Sequence, residues 1–168
     1  PENAKIILDD ELGDMLRRIK ARDVVTIIDA CNSGTATRSI NGVPVAQLEE
    51  TPFIQAKFLP LNSKESSELK ERVPDAEKKR IDYPRGGLFI SASREDQYAY
   101  ELTAGGRSHG ALTSALVEGM RALKQASYRD LFDYAKKVVK DRYKLGQDPQ
   151  LEPDKSELPD VQAFQSTS

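Results

Sequence analysis

The run Val24-Val25-Thr26-Ile27-Ile28 constrains the fold of this chain more than any other segment. Branching at Cβ crowds the preceding turn of a helix, so five β-branched residues in succession favour the pleated conformation. Apolar side chains fall on both faces of the run, which is how a strand covered on both sides in a parallel sheet reads. Upstream, Asp9 or Asp10 can cap a helix through about Lys20, with Leu12, Met15, Leu16 and Ile19 recurring at three- and four-residue steps on one face. That face should pack on the sheet.

Periodicity fades from about Thr35 to Arg85, and Asn62 to Arg80 is crowded with Lys, Glu, Asp, Ser and Arg. A connection of that length in a compact domain is functional or mobile. Order returns with a second short apolar strand at Gly86-Gly87-Leu88-Phe89-Ile90-Ser91-Ala92. A loop from Arg94 to Gly110 leads into a helix over Ala111 to Leu123, with Leu112, Ala115, Leu116 and Met120 on its inner face. Ser127 and Asp130 form a plausible capping box for a third helix, running to about Tyr143 with Leu131, Tyr134, Ala135 and Val138 inward. Gly146 is placed to stop it, and the segment from Gln147 reads as one short extended piece followed by a loose tail. Strands alternating with helices argue an α/β fold with a mainly parallel sheet.

Size and charge narrow the function classes. The 168 residues, 38% apolar and 31% charged, suit one soluble globular domain. Acidic and basic residues number 27 and 25, so no charge surplus draws the chain to nucleic acid or an anionic membrane. No apolar run reaches the roughly 20 residues of a membrane span, and Pro1 to Lys5 carry no signal-peptide pattern. A single cysteine, Cys31, excludes an intrachain disulfide, and with His109 as the single histidine a structural zinc site of the usual Cys/His type cannot form from this chain alone. No metal or other cofactor is expected. An unpaired reactive thiol suits a reducing cytoplasm better than an oxidising space.

Cys31 lies within a few residues of the end of the first strand, and reactive groups collect at the carboxyl ends of strands in open parallel sheets. Two readings stand on position alone. Cys31 is a small buried apolar residue, or it is a nucleophile, with Ala30 and Ser33-Gly34 letting a substrate backbone approach and its own amide helping to bind an oxyanion.

The segment Asp29-Ala30-Cys31-Asn32-Ser33-Gly34, behind a helix and a β-branched strand, resembles the nucleophile segment of caspases and metacaspases, where metacaspases commonly show D-x-C-H-S-G. Asn32 replaces a histidine that is not the catalytic one. Leu88 to Glu101, L-F-I-S-A-S-R-E-D-Q-Y-A-Y-E, with Gly110-Ala111-Leu112-Thr113 opening a helix, looks like the small-subunit region of the same superfamily. The similar stretches run from about Asp9 to Arg38 and from Gly86 to Leu151; residues 39–85 read as a variable linker and 152–168 as a tail. The resemblance implies a three-layer caspase-like (caspase-haemoglobinase) fold, with the first strands of the sheet contributed from outside this sequence. It also implies a cysteine endopeptidase of the metacaspase or orthocaspase type in family C14, with Cys31 as the attacking thiolate. In the family the catalytic histidine precedes the cysteine by some tens of residues, whereas the 30 residues before Cys31 hold none, and His109 reads as a surface or capping residue. The base is therefore expected on a preceding fragment or chain. A pseudoenzyme, scaffold or regulatory subunit is the alternative; a flavodoxin-like binding domain is disfavoured because Gly105 to Gly110 is too loosely spaced for a phosphate loop.

Substrate class also follows from the resemblance. Caspases that cut after Asp carry Gln two positions before the nucleophile and metacaspases carry Asp, as here with Asp29. The caspase Arg that binds a P1 aspartate aligns with Glu101, so the pocket is reversed in sign. Two carboxylates favour a guanidinium or ammonium and repel an acidic side chain, which implies protein or peptide substrates with Arg or Lys at P1. Against this, Asp29 also reads as a strand-end acid capping a turn, and Glu101 as a solvated surface residue. Asp96 is a weaker pocket candidate. Ser91, Ala92 and Ser93 are the expected substrate-binding strand, adding peptide through main-chain bonds. The residues after the nucleophile, Thr35-Ala36-Thr37-Arg38, lack the carboxylate that calcium-dependent metacaspases carry. Lys78-Lys79-Arg80 is the expected zone of autoprocessing of a zymogen, or else simply part of a solvated charged loop.

Overall fold

The computed structural model describes residues 9–21, 24–30, 54–57, 87–94, 97–153 and 163. Two three-stranded sheets and three α-helices make up the described part. The first sheet has the order β1 (Val25–Ile28), β3 (Leu88–Ser91), β6 (Gln150–Glu152); the second has β2 (Ile54–Ala56), β4 (Tyr100–Ala104), β5 (Arg107–Gly110). The helices are α1 (Asp9–Arg17), α2 (Ala111–Ala122) and α3 (Tyr128–Lys137), the last continuing as a π-helical turn over Val138–Arg142.

β1 and β3 run parallel, Val25 opposite Leu88 and Ile28 opposite Ser91. This is the one parallel pairing described; β3 with β6, β2 with β4 and β4 with β5 are antiparallel. The mainly parallel sheet expected from the sequence is thus replaced, among the described residues, by small mixed and antiparallel sheets. Two elements account for the difference. Ile54–Ala56 is a strand inside the stretch read as an unpatterned linker, and Tyr100–Gly110, in the second part of the stretch read as a loop, is a hairpin. Gly105 and Gly106 make its two-residue turn with φ of 58° and 74°, the left-handed pair that a tight hairpin of the primed type demands.

β3 lies between its two neighbours and carries the core: Ile90 is fully buried, with Leu112, Ala115, Leu131, Phe132, Ala135 and Val139 packed around it. Each such large apolar side chain contributes about 1.5–3 kcal/mol relative to exposure. The inner face of α2 follows the expected steps through Leu112, Ala115 and Leu116, but Met120 is exposed and Gly119 is buried in its stead. A Cβ on Gly119 would lie 2.7 Å from Leu131 Cδ1 and 3.0 Å from Tyr134 Cδ1, so this glycine is where α3 crosses closest. On α1, Leu16 is buried while Met15 and Ile19 are exposed, the helix having ended at Arg17 before Ile19 could join its face. On β1 likewise Ile27 is exposed, so among the described residues nothing covers it as a strand buried on both faces requires.

The Ser127–Asp130 capping box is present: Asp130 N–H donates to Ser127 Oγ at 3.1 Å, and Ser127 N–H donates to Asp130 Oδ2 at 3.0 Å. The hydroxyl and amide of Ser127 hold the Asp130 carboxyl below its ordinary range. At the far side, the Tyr134 hydroxyl donates to Glu118 Oε1 at 2.7 Å and Arg142 pairs with the same oxygen, which together lower the Glu118 carboxyl and tie α2, α3 and the π-turn. Lys144, with φ of 54°, turns the chain out of the helix two residues before the Gly146 expected to do so.

Candidate functional site

Asp29 closes β1, and both oxygens of its carboxylate are bonded. Oδ2 accepts from the Thr113 main-chain N–H at 2.8 Å and from Thr113 Oγ1 at 2.6 Å, while Oδ1 accepts from Lys57 Nζ at 2.9 Å. Lys57 Nζ also donates to the Asp29 carbonyl. The local reason is at the start of α2. Gly110 is its N-cap and has no side chain to receive the orphan amides of the first turn, and that turn carries no acid of its own. Asp29 supplies the cap from another strand, bonding the third helical residue as an N-cap side chain would, with its charge against the positive end of the helix. Gly110 is required for it: a Cβ there would collide with the Asp29 carboxylate and the Lys57 ammonium. Side-chain exposure is 10% for Asp29 and 17% for Lys57, so this ion pair is largely withdrawn from solvent.

Glu101 stands in the middle of the second sheet, opposite Gly110 on β5 and opposite Gln55 on β2. Directly opposed residues of an antiparallel pair point to the same face, with Cβ atoms about 5 Å apart. Since the Cβ direction of Gly110 aims at the Asp29 carboxylate, Glu101 leaves the sheet on the side where Asp29 and Lys57 lie. Glu101 is half-buried and its carboxylate has no partner among the described residues. The register and the Gly110 geometry thus put Glu101 on the side of the sheet where Asp29 lies, with Lys57, Thr113 and Gly110 around Asp29.

The proposed substrate strand is placed less freely. Ser91 pairs on one side with Ile28 and on the other with Gln150, and the Ala92 N–H donates to the Ile28 carbonyl at 3.0 Å. A peptide finds no open edge on β3 at Ser91. Ser93, 1% exposed, turns inward and donates from Oγ to the Gln97 carbonyl at 3.3 Å. Cys31 and its amide, Asp96, Lys78, Lys79 and Arg80 lie outside the described residues. His109, on β5 opposite Leu102, is exposed. No cluster of three or more His, Cys, Asp or Glu suited to a metal ion occurs among the described residues. None of the described helices is long and apolar enough to cross a membrane.

Sequence reasoning missed Lys57 because Ile54-Gln55-Ala56 is too short for its alternation to register in a charged linker. Thr113 stood inside the Gly110 to Thr113 block, but nothing in those letters named the acid that would cap the helix.

Residues 2–158 match the caspase domain, peptidase family C14, and the chain belongs to that family. Membership gives it a caspase-like α/β fold and points to cysteine-type peptidase activity. No curated protein matched the chain.

Proposed function

We propose that this chain is part of a cysteine endopeptidase of the metacaspase type that cuts proteins after Arg or Lys, with Cys31 as nucleophile. In this reading the general base is a histidine outside these residues, further N-terminal strands complete a three-layer fold, and the protein is a zymogen processed near Lys78-Lys79-Arg80. The supporting observation is that Glu101 leaves its sheet on the side of Asp29, which stands two residues before Cys31 in the chain. Glu101 has a carboxylate without a partner among the described residues, and Asp29 already holds an ammonium in the form of Lys57, the type of group the pocket would take from a substrate. The thiolate attacks the scissile carbonyl, the amine leaves with a proton from the imidazolium, and water then releases the acyl group.

One observation favours a second reading. Asp29 is fully engaged by Lys57 and Thr113, as it would be in a scaffold that keeps the fold without the chemistry. Matched peptides with Arg or Asp at P1, offered to the full-length protein and to its Cys31→Ala form, separate the two. Under the peptidase reading Arg-P1 cleavage exceeds Asp-P1 cleavage by at least about 100-fold, since a like charge against the two acids costs several kcal/mol. That cleavage disappears in Cys31→Ala. No cleavage of either peptide establishes the scaffold.

A further inference from the structure

Gln147 is buried to 3% exposure, and an amide taken that far from water is costly unless both its ends are bonded. Both are. Its Nε2 donates to the Ala92 carbonyl at 3.0 Å, and its Oε1 accepts from the Tyr100 main-chain N–H at 2.9 Å. One side chain thus bridges the end of β3 to the start of β4, across the loop that connects the two sheets. A carboxamide is the group that fits, because Ala92 presents an acceptor and Tyr100 a donor. The next residue extends the bridge: Asp148 N–H donates to Gln97 Oε1 at 2.8 Å inside the same loop, and the Asp148 carboxylate pairs with Lys136 of α3 at 2.7 Å.

What the bridge holds is the site. Ala92 is bonded through its own N–H to Ile28, the neighbour of Asp29. Tyr100 is the neighbour of Glu101, and the Ala99 carbonyl between loop and strand accepts from the Lys57 N–H at 2.8 Å. Gln147 is therefore bonded directly to β4, which carries Glu101, and through Ala92 reaches β1, which leads into Asp29.

We propose that Gln147 is a positioning residue of the peptidase site: its carboxamide fixes the end of β3 against the start of β4 and so sets the separation of Asp29 and Glu101 on which recognition of a basic P1 side chain depends. The proposal rests on the peptidase reading above. Gln147 touches no substrate in this arrangement; it acts through the main chain of Ala92 and Tyr100.

The test is made in the full-length protein with Gln147→Met, which keeps length and removes both bonds, and with Val139→Ala as a core control that destabilises without touching the bridge. Three quantities are read: kcat and KM on Arg-P1 peptide, the rate at which iodoacetamide alkylates Cys31, and hydrogen exchange at the Tyr100 amide. A displacement of about an ångström in a site costs about 100-fold, so kcat/KM of Gln147→Met is expected to fall by that order, chiefly through KM. Alkylation stays at the wild-type rate, because the small reagent needs no pocket. Loss of the amide's acceptor speeds Tyr100 exchange by about tenfold. Val139→Ala shows none of these changes at an equal loss of Tm. Kinetics of Gln147→Met that match Val139→Ala, or alkylation falling in step with kcat/KM, overturn the proposal. Should Gln147→Met fail to fold, Gln147→Glu carries the test: it keeps the acceptor for Tyr100 but sets a carboxylate against the Ala92 carbonyl, so KM rises while Tyr100 exchange stays slow. A wild-type protein that cuts no peptide, with the exchange effect intact, overturns the peptidase reading and the catalytic role with it, leaving the bridge as a structural tie.

Discussion

Asp29 answers to two demands at once, and their sizes decide what its neighbours do. As the cap of α2 it is worth about 1 kcal/mol, the ordinary contribution of an N-cap side chain. As a largely buried anion it needs a counter-charge, since removing one partner of such a pair costs about 3–5 kcal/mol. Lys57 is that counter-charge at rest. In Lys57→Ala the Thr113 bonds to Oδ2 remain, and Oδ1 is left for the cation of a substrate. The expected outcome is a lower Tm together with a KM for Arg-P1 peptide reduced by about tenfold, equivalent to about 1.4 kcal/mol of competition removed. An arginine amide should restore more of the Tm in Lys57→Ala than it adds to wild type, because a ligand that binds only the folded form stabilises it in proportion to affinity. An unchanged or higher KM in the variant assigns Lys57 a purely structural place. At this scale the letters single out Asp29 just ahead of Cys31 and Glu101 at the end of the Leu88 to Glu101 block as acids of interest, whereas they give Lys57 no partner, because its partner is brought to it by a strand pairing that no local pattern records.

At the scale of elements, legibility tracked how much of each element is buried. The capping box of α3 and the Leu112, Ala115, Leu116 face of α2 read directly, because burial imposes a period on apolar residues. β5 was missed for the opposite reason: Arg107, Ser108 and His109 are all exposed, so no apolar alternation marks the strand, and the Gly105-Gly106 turn was its one signal. Met120 misled because the stripe on α2 turns through Gly119 where α3 approaches. That contact yields a prediction in which two effects oppose each other. Gly119→Ala gains about 1 kcal/mol of helix propensity. It also forces a methyl group to 2.7 Å from Leu131, itself 2% exposed and unable to swing aside, and overpacking of this kind costs about 1–3 kcal/mol. Denaturant titration should show a net loss of stability with an unchanged m-value, whereas a gain would mean that Leu131 repacks freely.

Across the whole molecule, each sheet joins a strand that precedes the proposed cut to strands that follow it. β1 and Asp29 lie ahead of it, and β2 and Lys57 lie within it. β3 to β6 and Thr113 follow it. The N-terminal part thus gives one strand to the β1–β3–β6 sheet and one to the β2–β4–β5 sheet, and anchors the start of α2 through a buried carboxylate. The processing proposed at Lys78-Lys79-Arg80 falls between Lys57 and Gly87, both main-chain bonded or adjacent to bonded strands, so the cut severs none of the pairings among the described residues. Cleavage on these terms leaves a two-fragment particle, not two domains. The fragments should co-elute in size-exclusion chromatography under native conditions and part only in denaturant, with a melting transition that remains single because Val25 of the N-terminal fragment packs against the core around Ile90. Cys31→Ala protein should give one intact chain in the same preparation. Fragments that separate on the native column would mean that the β1–β3 and β2–β4 pairings do not hold the particle together, and fragments appearing in Cys31→Ala would assign the cut to another protease.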